Sequence, residues 1–121
     1  MSTEPRTVTL HTSDHGDVTL PEPSWCVGHP DQRAEYKVDV SHDGPEHVIA
    51  PGGRETFTAF LTQAPFSDVD RSIGLHVEVA DLTGTCTPDE VEQLADDLVE
   101  SVEQLRVLGR QLADLLDGGE R

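Results

Sequence analysis

One cysteine and three histidines stand at a spacing suited to holding a soft divalent cation. Cys26 is followed by His29, then by His42 and His47, so the run reads C-x2-H-x12-H-x4-H. Thiolate and imidazole are donors that zinc prefers. A zinc knuckle needs a tight first pair, a spacer that loops back, and a second pair. A histidine stands here where the zinc-finger pattern has its second cysteine. Prolines and glycines punctuate residues 21–47, so the donors can converge without breaking a regular element. The competing reading makes Trp25 and Cys26 core residues and the histidines surface polar groups. His11, His15 and His76 fall outside the spacing and are expected at the surface.

Short alternating segments must position these donors. Thr7 to Leu10 and Val18 to Leu20 alternate polar and apolar residues around a turn at Ser13–Asp17, which predicts a first hairpin. Tyr36, Val38 and Val40 suggest a short strand, and His42 to Pro45 a turn. Val48–Ala50 and Glu55–Gln63 flank Pro51-Gly52-Gly53 as a second hairpin. Ile73, Leu75, Val77 and Val79 give the cleanest alternation, with His76 and Glu78 on the opposite face.

The chain closes in a helix predicted over residues 87–117. Thr87 suits the N-cap, Pro88 the first helical position, and Glu90 completes a capping box. Acidic residues crowd the first turns, Arg106 and Arg110 come late, and Gly118-Gly119 is a stop signal. Val91, Leu94, Leu98, Leu105, Leu108, Leu112 and Leu115 form a heptad seam broken only at Ser101. The expected fold class is α+β: a small antiparallel β-sheet of about four to six short strands, then one long C-terminal amphipathic α-helix. Residues 1–121 are expected to form a single domain, with 1–86 as its β-rich part. A helix of about 31 residues rises ~46 Å, whereas a strand of eight spans only ~27 Å. A homodimer paired through the helix seam would cover the excess, and a monomer whose helix wraps its own sheet is the alternative.

Composition narrows the classes of function. The 121 residues carry a formal charge of -16, with 24 acidic side chains against 8 basic ones. A phosphate backbone would be repelled, so direct nucleic-acid binding is not expected. Mimicry of a nucleic acid along Asp89, Glu92, Asp96, Glu100 and Glu103 is electrostatically open, although a solvated helix face explains the same row. No apolar run is long enough to span a membrane, and Met1 to Arg6 lacks a signal-peptide core, which points to the cytoplasm. There Cys26 and Cys86 are expected as thiols or metal ligands before disulfide partners, with Cys86 a small buried residue ahead of the helix cap. Aromatic residues make up only 4% of the chain, so the core should be modest and a metal clip would add stability.

The stretch Pro23-Ser24-Trp25-Cys26-Val27-Gly28-His29, with Ser41-His42-Asp43-Gly44, resembles a family of small actinobacterial proteins. That family carries a C-P-x-W-C-x-x-(D)H motif with a downstream H-x-G in a short β-domain, and the likeness covers roughly residues 20–80. It implies Cys26, His29 and His42 as matching positions. The family's first cysteine falls at Glu22, and a carboxylate also ligates zinc. The implied metal set is therefore Glu22, Cys26, His29 and His42, with His47 as the alternative fourth ligand. The resemblance supplies a candidate site and no activity. The expected function is a non-enzymatic accessory or regulatory protein, zinc-stabilised, that self-associates or binds a protein partner through its helix. The alternatives are a small zinc hydrolase using Glu22 or Asp43 as general base, and an acidic nucleic-acid mimic. No phosphate loop, dinucleotide fingerprint or nucleophile motif is present, and Pro51-Gly52-Gly53-Arg54 reads as a turn.

Overall fold

The computed structural model describes residues 6–30 and 33–118. Its fold is α+β: two small antiparallel sheets followed by one long helix. The first sheet is the expected hairpin. Strand β1 (Arg6–Thr12) pairs with β2 (Gly16–Glu22), with Val8 opposite Leu20 and Leu10 opposite Val18. Gly16, at φ +61°, provides the left-handed step that reverses the chain. One face of the hairpin packs Leu10 and Leu20 against Val40, with Val8, Val18 and Phe66 around them. The alternation at Tyr36, Val38 and Val40 does not make a strand. Lys37–Asp39 form a single 3-10 turn, pinned where the Lys37 N–H donates to the Asp14 carboxylate at 2.9 Å. A side chain from the hairpin thus meets the backbone bonding that a strand would have needed.

The second sheet is built on β5 (Phe57–Gln63). One edge of β5 is shared by β3 (His42–Asp43) and β4 (His47–Ile49); β6 (Gly74–Val79) takes the other. The expected turn at His42–Pro45 is thus partly a strand, because His42 and Asp43 find open positions opposite Gln63 and Thr62. The second hairpin turns through a 3-10 turn at Pro51–Gly53, with Gly52 and Gly53 at positive φ. Ile49 and Ala59 are buried on one face of the sheet, whereas Val48 on the other is exposed.

Helix α1 runs from Pro88 to Asp117. Its first turn is capped as the sequence predicts, with the Glu90 N–H donating to the Thr87 hydroxyl and the Thr87 N–H donating to the Glu90 carboxylate. The heptad seam is seated on the chain's own sheet, where α1 touches β4, β6 and the Pro51–Gly53 turn. Leu94, Leu98, Leu105, Leu108, Leu112 and Leu115 are half-buried there, and Val91 is exposed. The deepest positions are polar: Asp97 and Ser101 are the buried residues of the helix. The Ser101 hydroxyl donates to the Asp97 carbonyl and lies 2.6 Å from the Thr56 hydroxyl, which also bonds the Ile49 carbonyl. The Asp97 carboxylate accepts from Arg54 at 3.0 Å and from Gln93 at 3.0 Å. Asp89, Glu92, Asp96, Glu100 and Glu103 are all exposed. Cys86 is exposed rather than buried, in the extended segment before the cap, and both cysteines are free thiols. Among the described residues, no helix is long and apolar enough to cross a membrane.

Candidate metal centre

The donors converge where the two sheets meet. Glu22 is the last residue of β2, and Pro23 follows it, unable to donate to a continuing ladder. The chain then turns, with the Cys26 N–H donating to the Pro23 carbonyl at 3.1 Å. The Gly28 N–H donates to the Cys26 sulfur at 3.4 Å, and the Gly28 φ of +94° turns the chain so that His29 comes back beside it. This turn is tied to the second sheet by the Val27 N–H, which donates to the Asp43 carbonyl at 3.0 Å. His42, one residue earlier on β3, enters the cluster from the other sheet. Gly44 lets the two segments close: a Cβ there would lie 3.3 Å from both the Trp25 carbonyl and Leu61 Cβ.

One ligand atom from each of Glu22, Cys26, His29 and His42 lies within 4.8 Å of all the others, and the group could bind a metal ion. Glu22 Oε1 is the hub. It stands 2.6 Å from His29 Nε2, 3.2 Å from Cys26 Sγ and 3.4 Å from His42 Nδ1, while Cys26 Sγ is 3.9 Å from His29 Nε2. Around a tetrahedral ion with bonds of about 2.0–2.3 Å, neighbouring donors stand roughly 3.3–3.6 Å apart. The observed separations straddle that range. The shortest, between Glu22 and His29, is a hydrogen bond that would open as both atoms turned to a cation.

Burial and protonation carry the same signature. His42 is 1% exposed and its Nδ1, facing the cluster, has no hydrogen-bond partner. Burial lowers the His42 pKa, keeping the imidazole neutral and its lone pair free. Burial likewise pushes the Cys26 thiol up, aided by the Glu22 carboxylate to which it donates. Burial opposes ionisation of Glu22 too. The hydrogen bonds from Cys26 and His29 outweigh that effect and hold its carboxyl below the usual range. A divalent cation would displace the thiol proton, and one carboxylate plus one thiolate would then balance its charge.

His47, the alternative fourth ligand, is exposed on β4 beside Gln104 and Leu108, outside the group. His11, His15 and His76 are exposed in carboxylate pairs with Asp17, Asp14 and Glu78. The Asp43 carboxylate is engaged by the Ser41 and Thr62 hydroxyls, so it anchors β3 rather than standing free as a base. Trp25, a motif position in the family resemblance and otherwise an expected core residue, is half-buried. Its ring meets His42 edge to face, with centroids 6.4 Å apart, and walls the donor group. Nothing in the spacing pointed to that contact, or to the pinning of the Cys26 turn by Asp43.

An α+β fold whose two sheets meet at a partly buried carboxylate, thiol and imidazole pair defines a small domain with a potential metal clip. The chain belongs to the family described as a domain of unknown function, DUF6907, which matches residues 7–114. No curated protein and no solved structure matches it.

Proposed function

We propose that the protein is a non-enzymatic accessory or regulatory protein whose two sheets are joined by one structural zinc ion, and whose C-terminal helix, with the sheet that carries it, serves self-association or a protein partner. The convergence of Glu22, Cys26, His29 and His42 within 4.8 Å carries this reading. One thiolate, two imidazoles and one carboxylate are a zinc set, and four protein donors leave a tetrahedral ion no open position. A hydrolytic zinc would need three ligands and a water facing a substrate cleft. Of the four donors only His29 borders the adjoining cleft of about 390 Å³, which favours the structural role over the hydrolytic one.

Metal analysis of protein purified without a histidine tag tests the proposal. One zinc per chain is expected, falling to background in His42→Ala and Cys26→Ala but unchanged in His47→Ala. Wild-type protein refolded with zinc and still metal-free would overturn it. Zinc retained in His42→Ala would relocate the site.

A further inference from the structure

The outer edge of the second sheet is a self-complementary strand. Beyond the metal clip, we propose that two copies of the chain pair antiparallel through β6, about a two-fold axis at Val77. This names the partner in the self-association part of the proposed function and is independent of the metal, since β6 contributes no donor.

The hydrogen-bonding alternation of β6 fixes which residues face outward. The Ala80 N–H donates to the Thr56 carbonyl at 2.9 Å, just past the end of the β5–β6 ladder. In an antiparallel ladder such bonded pairs recur at every second residue. Glu78, His76 and Gly74 therefore turn their backbone groups toward β5. Leu75, Val77 and Val79 turn theirs to the open edge. On the far side of β5 the same alternation holds, because the Leu61 carbonyl accepts from Gly44. Among the described residues no strand pairs with the outer edge of β6. The edge has no proline, lysine or positive-φ residue of the kinds that usually block edge pairing. Val79 beside it is 71% exposed.

A second β6 must place outward residues opposite outward residues, so the axis falls on a residue rather than between two. Centred on His76 it sets imidazole against imidazole, and centred on Glu78 carboxylate against carboxylate. Centred on Val77 it sets His76 opposite Glu78 of the other copy, Leu75 opposite Val79, and Val77 opposite itself. His76 and Glu78 then occupy the close, non-hydrogen-bonded positions where cross-strand pairs interact most. These two side chains already share one face, 3.0 Å apart within the strand. Imidazole–carboxylate complementarity, as against imidazole on imidazole or carboxylate on carboxylate, thus selects both the occupant and the register.

The helix flank on this side fits a neighbouring copy. Gln104 and Val107 face β4, so at 100° per residue Val91, Ala95, Val102, Gly109 and Ala113 lie on the β6 side. That flank is exposed and carries no charge, in a chain of net charge -16. Repulsion between whole copies is screened by salt, so pairing should strengthen as ionic strength rises.

Sedimentation equilibrium of the full chain tests the pairing. Wild type should reach twice its 13.2 kDa at high concentration, more readily in added salt. Val77→Pro removes only outward-facing bonds, as edge strands tolerate, and should be monomeric with unchanged helical signal. His76→Glu should weaken the dimer about tenfold, because two symmetric pairs become repulsive. His76→Glu with Glu78→His should restore it, which only the Val77-centred register allows. A wild type that stays monomeric, a dimer indifferent to Val77→Pro, or a double variant without rescue each overturns the proposal. Zinc content is measured alongside, so loss of pairing with full metal separates failure here from failure of the clip.

Discussion

The two halves of the molecule use their buried polar residues differently. The β1–β2 hairpin has a small core of Leu10, Leu20 and Val40, and meets the second sheet at a cluster of polar donors. The second sheet is covered by a helix of 30 residues with half-buried leucines along its seam. The first half joins that apolar cluster to donors that could hold a metal ion. In the second, no apolar residue of the helix is fully buried, and the buried polar residues Thr56, Asp97 and Ser101 fix where the helix sits. Titratable donors at a junction between sheets can act as a clip, whereas buried hydroxyls under a helix set its register.

Breaking the clip should have the largest effect and should fall on one half. Apparent metal-binding energies in small zinc domains reach about 10–16 kcal/mol, far above any single contact. Stripping the zinc-loaded protein with a chelator should lower its melting temperature by about 10 °C or more, on the scale of a few kcal/mol lost. Amide exchange should quicken in β1, β2 and residues 23–29, while α1 keeps its protection. Uniform quickening across both halves would remove the contrast between them.

The helix half should answer to its polar anchors. Asp97→Ala removes an acceptor shared by Arg54 and Gln93 and should cost about 2 kcal/mol in urea unfolding of the zinc-loaded protein. Arg54 is 40% exposed on its side chain and can rehydrate, so Arg54→Ala should cost less. Zinc stoichiometry should not change in either variant. An Asp97→Ala protein as stable as wild type would mean that the leucine seam alone sets the helix position.

How much could be read beforehand follows the same division. The helix, its cap and the period-two strands were legible because each is a local pattern within one segment. Asp97 and Ser101 were not, because what makes them interior is Thr56 and Arg54, more than forty residues earlier. Spacing brought Cys26, His29 and His42 into view, and Glu22 came through the family resemblance. The hub position of Glu22 follows from β2 ending where Pro23 stops it, a tertiary consequence that no donor spacing contains. The Tyr36–Val40 alternation misled because period two does not guarantee a partner strand, and Asp14 captured the Lys37 N–H instead.

The smallest effect sharpens the comparison at the helix start. Thr87→Ala deletes one half of the capping box and should cost about 1 kcal/mol, with no change at the metal cluster. The other half is sensitive to pH. The Thr87 backbone N–H, and then its side chain, hold the Glu90 carboxyl below its ordinary value of 4.5. A carboxyl whose pKa is lowered by folding stabilises the folded state above its unfolded pKa, and that contribution fades as pH falls through the lowered value. The stability difference between wild type and Glu90→Gln should therefore be full near neutral pH and shrink below about pH 4. Urea midpoints measured across that range check it. A difference that persists unchanged into acid would mean that the amide of Glu90→Gln fails to replace even a neutral carboxyl, for reasons other than charge, and the cap would owe nothing to ionisation.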